Sequence, residues 1–497
     1  MSQRITIDPI TRLEGHGKIE IFLDDAGEVA NAYMQIPELR GFERFCLGRA
    51  AEEMPQITSR ICGVCPSAHH MAATRALDAL YDVDPPPAAH KIRELFYNLF
   101  MFEDHTLHFY FLGGPDFIVG PSAPAAERNV VGVIGKVGLE IGGKVIAVRK
   151  QAREIMTEMA GKAIHPVFGL PGGISKPLKP ELVGRVKAAA PGFVDFAAFS
   201  LQAFADIVLK CPAYVETILA PHYAQVTNYM GMVDAAGKVT FYRGQVRVVD
   251  TEGKPLAQFE PADYLAHIAE HVEPWSYIKF PFLKHRGWKG FADGPGTSLY
   301  RVAPLARLNV ADGMATPRAQ EHYEQMYGTL GGKPVHGTLA THWARLIEAL
   351  QAAEAVQALA NDPEILERTV RTLPTTAPTE GVGIVEAPRG TLIHHYTTDG
   401  NGILTKVNLI VATVHNAAPI QMSIEKAAKG VIHKGHVDQG LLNQVEMAFR
   451  AYDPCFGCAT HSLPGGMPLV ATIRNARGEV VQRMTREDQP RGTWTRA

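Results

Sequence analysis

Arg60-Ile-Cys-Gly-Val-Cys65 and Asp453-Pro-Cys-Phe-Gly-Cys-Ala-Thr-His461 stand near opposite ends of a 497-residue chain. Each puts two thiols on a short loop, and four thiolates brought together cage a soft cation: zinc, copper(I), nickel or iron. Two isolated Cys-x-x-Cys pairs read first as structural zinc, with thiol–disulfide exchange or a redox metal as the other choices. Zinc ribbons staple a local loop, whereas most of the chain separates these pairs. A dithiol oxidoreductase needs one pair opening a helix on a small βαβ unit, and neither surrounding fits. Arg60 and His69 beside the first pair, and Asp453 and His461 beside the second, are the polar company that a metal centre uses to orient its ligands. The two ends of the chain are therefore expected to meet.

The composition sets limits on the rest. A hydrophobic fraction of 46% over 497 residues is ample for a large core. A net charge of -2 without a dense Lys/Arg run excludes a polyanion-binding surface, so nucleic acid is not an expected partner. The start, Met1-Ser-Gln-Arg-Ile-Thr-Ile-Asp8, lacks a basic region followed by an apolar core, and no stretch of about 18 unbroken apolar residues occurs. Neither signal peptide nor membrane span is predicted, and the expected location is cytoplasmic. Six cysteines are too few for a disulfide scaffold. Cys46 and Cys211 stand in apolar surroundings and read as small buried hydrophobes.

Apolar residues recur at helical spacing over 88–112, 130–162, 180–209 and 341–372, the last broken at Asn361-Asp-Pro363. Alternation around the turn residues Asp24-Asp-Ala-Gly27 reads as a hairpin between Ile5 and Ala32. Strand-like runs also lie between Lys238 and Phe259 and between Gly381 and Val414. The expected class is α+β, predominantly α, with a long-helix bundle core and small peripheral sheets. Residues 1–461 read as one domain. Residues 462–497 read as an appendage whose hairpin turns at Asn475 to Gly478. Gly138-x4-Gly143-Lys144 imitates a phosphate loop without its Ser/Thr and reads as a small-residue helix face; Gly328-Thr-Leu-Gly-Gly-Lys333 is equally weak, so no nucleotide site is expected.

The paired signatures resemble those of the large subunit of nickel-iron hydrogenases, of the cytoplasmic bidirectional and heterodisulfide-reductase-linked kind. Supporting stretches are Asp8-Pro-Ile-Thr-Arg-Leu-Glu-Gly-His16, Arg40-Gly-Phe-Glu43, Asp104-His-Thr-Leu-His-Phe-Tyr110, His165-Pro-Val-Phe-Gly-Leu-Pro-Gly-Gly173 and Gly383-Ile-Val-Glu-Ala-Pro-Arg-Gly390. Two departures, Ala303 where Gly is expected before Pro304-Leu-Ala-Arg and Ala412 where Pro is expected before Thr413, are expected to touch only the packing around the site.

The resemblance implies reversible heterolytic cleavage of dihydrogen to protons and electrons. It implies that Cys62, Cys65, Cys455 and Cys458 bind nickel, and that Cys65 and Cys458 also bridge to an iron bearing carbon monoxide and cyanide. By the same resemblance, Glu14 accepts a proton from Cys455, and Arg389, held by Asp104 and Asp453, overhangs the open metal position. His69 donates to a bridging thiolate. Glu43, His461 and the Leu409 carbonyl bind a second cation, magnesium or iron.

With four of six cysteines committed, the chain has too few thiols for an iron-sulfur cluster of its own. The resemblance supplies a small subunit bearing such clusters, further electron-transfer subunits of heterodisulfide-reductase or NAD-reducing type, and a maturation endopeptidase that cuts after His461. Two rivals remain at this level. One is a non-catalytic zinc subunit of a redox complex. The other is the related quinone-site subunit of respiratory complex I, which lacks both thiol pairs.

Overall fold

Long helices carry the centre of the molecule in this computed structural model, which describes residues 4–162, 164–461, 469–475, 480–486 and 494–496. The chain opens with an antiparallel sheet of β1 (Arg4–Ile7), β2 (Lys18–Leu23) and β3 (Val29–Gln35), so the expected hairpin is there with a third strand before it. Helix α1 (Met54–Ser59) leads into the first thiol loop, and α2 (Pro66–Leu80) starts directly after Cys65. Proline suits the first helical position because its missing N–H would have no partner there.

Helix α3 (Pro87–Leu107) is buried on nearly every side from Leu95 onward and carries Asp104 and His105 into the interior. Its expected continuation through Leu112 is a π-helical turn, His108–Gly113. The stretch expected as one helix over 130–162 is two, α4 (Val130–Val137) and α5 (Leu139–Ala160). Gly138 separates them at φ 88°, a conformation available to glycine at little cost, so it breaks the helix, whereas Gly143 and Lys144 of the same motif lie in α5. Helix α6 (Pro180–Phe204) runs through Pro191 and ends in a π-helical turn, Ala205–Leu209. By length and composition Pro180–Leu209 could cross a membrane; it packs one face against the core.

The middle of the chain forms a four-stranded sheet in the order β7-β4-β5-β6: β4 (Asn228–Val233), β5 (Gln245–Val249), β6 (Pro255–Phe259) and β7 (Tyr300–Arg301). Helix α7 (Pro304–Val310) follows. Helix α8 (Thr341–Asn361) packs between α3 and α6 and ends where Asp362-Pro363 was expected to break it. Strands β8 (Glu380–Ala387), β9 (Gly390–Thr398) and β10 (Leu404–Ile410) form an antiparallel sheet against α2. A Cβ at Gly383 would lie 2.2 Å from the Ala72 carbonyl, so only glycine allows that approach. Helices α9 (Ala417–Val431) and α10 (Gln439–Arg450) return the chain to the second thiol loop.

In the appendage, strands Leu469–Arg474, Val480–Arg486 and Trp494–Arg496 pair with one another. The expected turn at Asn475 to Gly478 lies mostly outside the described residues. Cys46 is buried as expected, but Cys211 is only half-buried because it precedes a short surface helix, Pro212–Leu219.

Ala303 corrects a further expectation. It is buried and adopts φ 84°, ψ -180°, a region almost reserved for glycine, so the departure strains the backbone as well as altering packing. Ala303→Gly relieves about 1–3 kcal/mol of strain and gives back about 0.5–1 kcal/mol through the freer unfolded chain. A higher urea midpoint, by about 1 kcal/mol in unfolding free energy, is the expected result of chemical denaturation.

Candidate metal centre

The sulfurs of Cys62, Cys65, Cys455 and Cys458 all lie within 4.8 Å of one another, and all four residues are buried. Separations are 3.4 Å for Cys62–Cys455, 3.4 Å for Cys65–Cys458 and 2.8 Å for Cys455–Cys458. The first loop is turned so that the amides of Val64 and Cys65 donate to the Cys62 sulfur at 3.2 and 3.4 Å. Hydrogen bonds from the thiols of Cys455 and Cys458 hold Cys62 well below the ordinary thiol range, whereas burial pushes Cys455 and Cys458 well above it. A buried cage of this kind becomes fully anionic only around a cation, and its all-sulfur donor set fits a soft one.

Two devices lock the loops together. Glu14 forms a parallel bridge with Cys455: its N–H donates to the Pro454 carbonyl at 3.3 Å, and Phe456 N–H donates to the Glu14 carbonyl at 2.9 Å. Its carboxylate then accepts from Cys455 Sγ at 2.9 Å and from Gly457 N–H at 3.0 Å. Gly15, at φ 85°, leaves room for this contact, since a Cβ there would lie 2.5 Å from Gly457 N. Burial, and then the charge of Cys62, raises the Glu14 pKa. The second device is Arg40, whose guanidinium donates to the Ile61 carbonyl and, at 3.0 Å, to the Gly457 carbonyl.

Arg389 is buried between two carboxylates, at 3.2 Å from Asp104 and 3.0 Å from Asp453. Burial opposes its charge, but Asp104 and Asp453 hold the guanidinium well above its ordinary value. Asp453 takes φ 57°, which lets one residue both open the second loop and face the arginine. Behind them lies a second buried network. Arg307 makes a fork with Glu348 at 2.6 and 2.7 Å and pairs with Glu386 at 2.7 Å. It also donates to the carbonyls of Ala387 and Pro388, at 2.9 and 3.2 Å, the two residues before Arg389. Arg345 lies 3.6 Å from Asp453 and donates to the Ala451 carbonyl at 3.0 Å.

Glu43, Leu409 and His461 also meet. Glu43 accepts from Leu409 N–H at 2.7 Å, its own N–H donates to the His461 carbonyl at 3.2 Å, and burial pushes its carboxyl up to about 7. Both ring nitrogens of His461 are buried without a hydrogen-bond partner among the described residues. Burial lowers the His69 pKa to about 4, and its Nε2 is likewise unpartnered.

The cysteines, carboxylates, histidines and Arg389 expected at the site are thus drawn into one region. Arg60 is the exception: it is exposed and donates to the Gln56 carbonyl at 2.5 Å, one turn back along α1. Arg40, Arg307, Arg345, Glu348 and His394 belong to the region as well and were not singled out. Arg40 and Arg307 lie in quoted stretches, but nothing in their spacing marks which carbonyls they reach.

The family model for nickel-dependent hydrogenase matches residues 40–132 and 238–461, and a HoxL-like model matches residues 4–39. The chain belongs to the nickel-dependent hydrogenase family. It is 50% identical to an F420-non-reducing hydrogenase iron-sulfur subunit of Archaeoglobus profundus, over 97% of this chain and 99% of that protein. It is 37% identical to the NAD-reducing hydrogenase HoxS subunit beta of Cupriavidus necator, over 98% and 100%. Its fold matches an NAD+-reducing [NiFe]-hydrogenase in the H2-reduced state with a TM-score of 0.87 and 38% identity, covering 92% and 99%. Within the hydrogenase family the chain is a catalytic large subunit, an oxidoreductase that cleaves hydrogen and passes electrons to partner subunits. Both rival readings are thereby set aside.

Because the hydrogenase keeps the Arg307–Glu348 pair fully buried, losing one member costs about 3–5 kcal/mol. Glu348→Gln is expected to lower the denaturant midpoint accordingly. Burial opposes the Glu348 charge, but Arg307 outweighs it and depresses the carboxyl from 4.5 to about 2. Its stabilisation is therefore complete above about pH 4.5 and lost as pH falls through about 2, and the variant should lack this part of the acid transition.

Proposed function

We propose that Cys62, Cys65, Cys455 and Cys458 would hold a nickel-iron centre whose iron carries carbon monoxide and cyanide. The observation that carries this reading is the meeting of four buried thiols from both ends of the chain. When bound, the centre supplies redox-active metals at which dihydrogen is cleaved. The protein's own part is to place charge and move a proton.

Glu14 Oε2, 2.9 Å from Cys455 Sγ, accepts the proton that this sulfur releases. The side chain is only partly buried, so the proton leaves the cage toward solvent or a partner surface. Arg389 supplies a fixed positive charge that Asp104 and Asp453 aim, a preorganised field that costs no rearrangement during the reaction. His69 donates its unpartnered N–H to a thiolate of the cage.

Glu43, the Leu409 carbonyl and His461 hold magnesium or iron at the second site. The buried nitrogens of His461, unpaired among the described residues, and the desolvated carboxyl of Glu43 support this, since both gain a partner when a cation binds. Residues 1–461 form the mature catalytic domain, and a maturation endopeptidase removes 462–497. Electrons pass first to a small iron-sulfur subunit, then on to subunits of heterodisulfide-reductase or NAD-reducing type in the cytoplasm, in keeping with the multi-subunit relatives.

Elemental analysis of the assembled enzyme tests the centre directly. One nickel per chain, with infrared bands of iron-bound carbon monoxide and cyanide, is expected; zinc in place of nickel overturns the reading. Glu14→Gln should keep the nickel and lower turnover by about 10²-fold or more, the usual share of a proton-transfer group. Intact mass of the active enzyme should end at His461, and a mass that includes Ala497 would remove the processing step.

A further inference from the structure

His394 and Tyr396 lie two positions apart on β9 and so share one face of the strand. That face meets the first turn of α2. His394 Nε2 lies 3.2 Å from His69 Nδ1, and His394 Nδ1 lies 2.5 Å from the Tyr396 hydroxyl. All three side chains are fully buried. The far atom of this chain, His69 Nε2, has no hydrogen-bond partner among the described residues, and His69 lies within the field of Cys62. Cys65 is the residue from which α2 starts and His69 stands in the first turn of that helix, so the two lie at the same end of α2.

A neutral imidazole carries one N–H and one bare nitrogen, and among the described residues neither ring touches a carboxylate that would favour a second proton. Each contact in the chain needs one donor and one acceptor, so the direction of the outermost bond fixes all the others. A phenol is a much stronger acid than a neutral imidazole N–H, and a bare imidazole nitrogen is a better acceptor than a phenol oxygen. Thr58 also faces the phenol, but its hydroxyl oxygen is a weaker acceptor still, and its hydrogen goes to the Met54 carbonyl at 2.6 Å. Tyr396 therefore donates to His394 Nδ1. The proton of His394 must then sit on Nε2 and point at His69 Nδ1, which leaves the proton of His69 on Nε2.

We propose that Tyr396 and His394 are positioning residues that fix the tautomer of His69, so that its Nε2–H, and not a bare lone pair, faces the thiolate cage. This rests on the reading of His69 as a donor to a thiolate of the centre. The opposite polarity would set a nitrogen lone pair against anionic sulfur in a site that water does not reach, leaving a buried acceptor unpaired. With the donor in place, the N–H···S bond draws density from the sulfur and lowers its basicity, which is how surrounding groups tune a metal ligand. Strand β9 is paired on both sides, with β8 and β10, so the spacing of His394 and Tyr396 is held rigidly.

Neutron diffraction from deuterium-exchanged crystals of the assembled enzyme reads the tautomers directly. Deuterium is expected on His69 Nε2 and His394 Nε2, with the Tyr396 deuteroxyl aimed at His394; deuterium on His69 Nδ1 overturns the proposal. Deuterium on His69 Nε2 that points at no sulfur overturns instead the donor reading beneath it. In Tyr396→Phe, carrying its full nickel content, the hydrogen of His69 should divide between the two nitrogens and the iron-bound carbon monoxide band should move to lower frequency. An unchanged tautomer and an unmoved band in that variant would reduce Tyr396 to packing and sink the assignment.

Discussion

Four thiols shut away from water cannot all become anions unless a cation joins them, and this constraint governs the rest of the molecule. Burial first, and then the neighbouring thiols, push Cys455 and Cys458 up, while sulfur–sulfur hydrogen bonds favour ionisation of Cys62. The cage is therefore poised with its charge incomplete. Around it the chain concentrates buried polarity: Arg389 with Asp104 and Asp453, Arg307 with Glu348 and Glu386, His105 with Glu348, and the buried histidines His69, His394 and His461. Buried ions are costly for stability. Their gathering around one cage is the mark of a site whose field matters more than its contribution to folding.

The fold serves that field by fixing backbone as much as side chains. Arg307 reaches past Glu348 to the carbonyls just before Arg389, and Arg40 grips one carbonyl in each thiol loop. Glu14 is held by main-chain pairing with the residue whose sulfur it touches. A small shift in any of these would move a charged group relative to the sulfurs, where proton transfer and electrostatic stabilisation depend steeply on distance.

Much of this was legible in the chain. Cys62, Cys65, Cys455 and Cys458 announce themselves because few other roles call for paired thiols so far apart, and the long helices follow from apolar periodicity. Arg345 and Glu348 did not announce themselves. They lie within the helical pattern of α8, where charged residues ordinarily face water, and only the packing of α8 between α3 and α6 turns them inward. The His69–His394–Tyr396 chain was hidden for a similar reason, since it depends on how a strand and a helix meet. Ala303 was seen as a departure, but its φ of 84° belongs to three-dimensional placement that composition cannot report. Cys211 was misread because apolar neighbours in sequence proved to be a surface helix.

The pairing of Glu14 with Cys455 has a consequence for how the molecule is made. A ribosome releases the first of these residues long before the second, so no partial chain can assemble the cage. Until the last loop emerges, the early segment must wait with its carboxylate and main-chain groups turned to water. Contacts this remote in sequence are also slow to form. The cage is therefore among the last features of the fold to close, since its second pair of sulfurs comes from the final loop before residue 461.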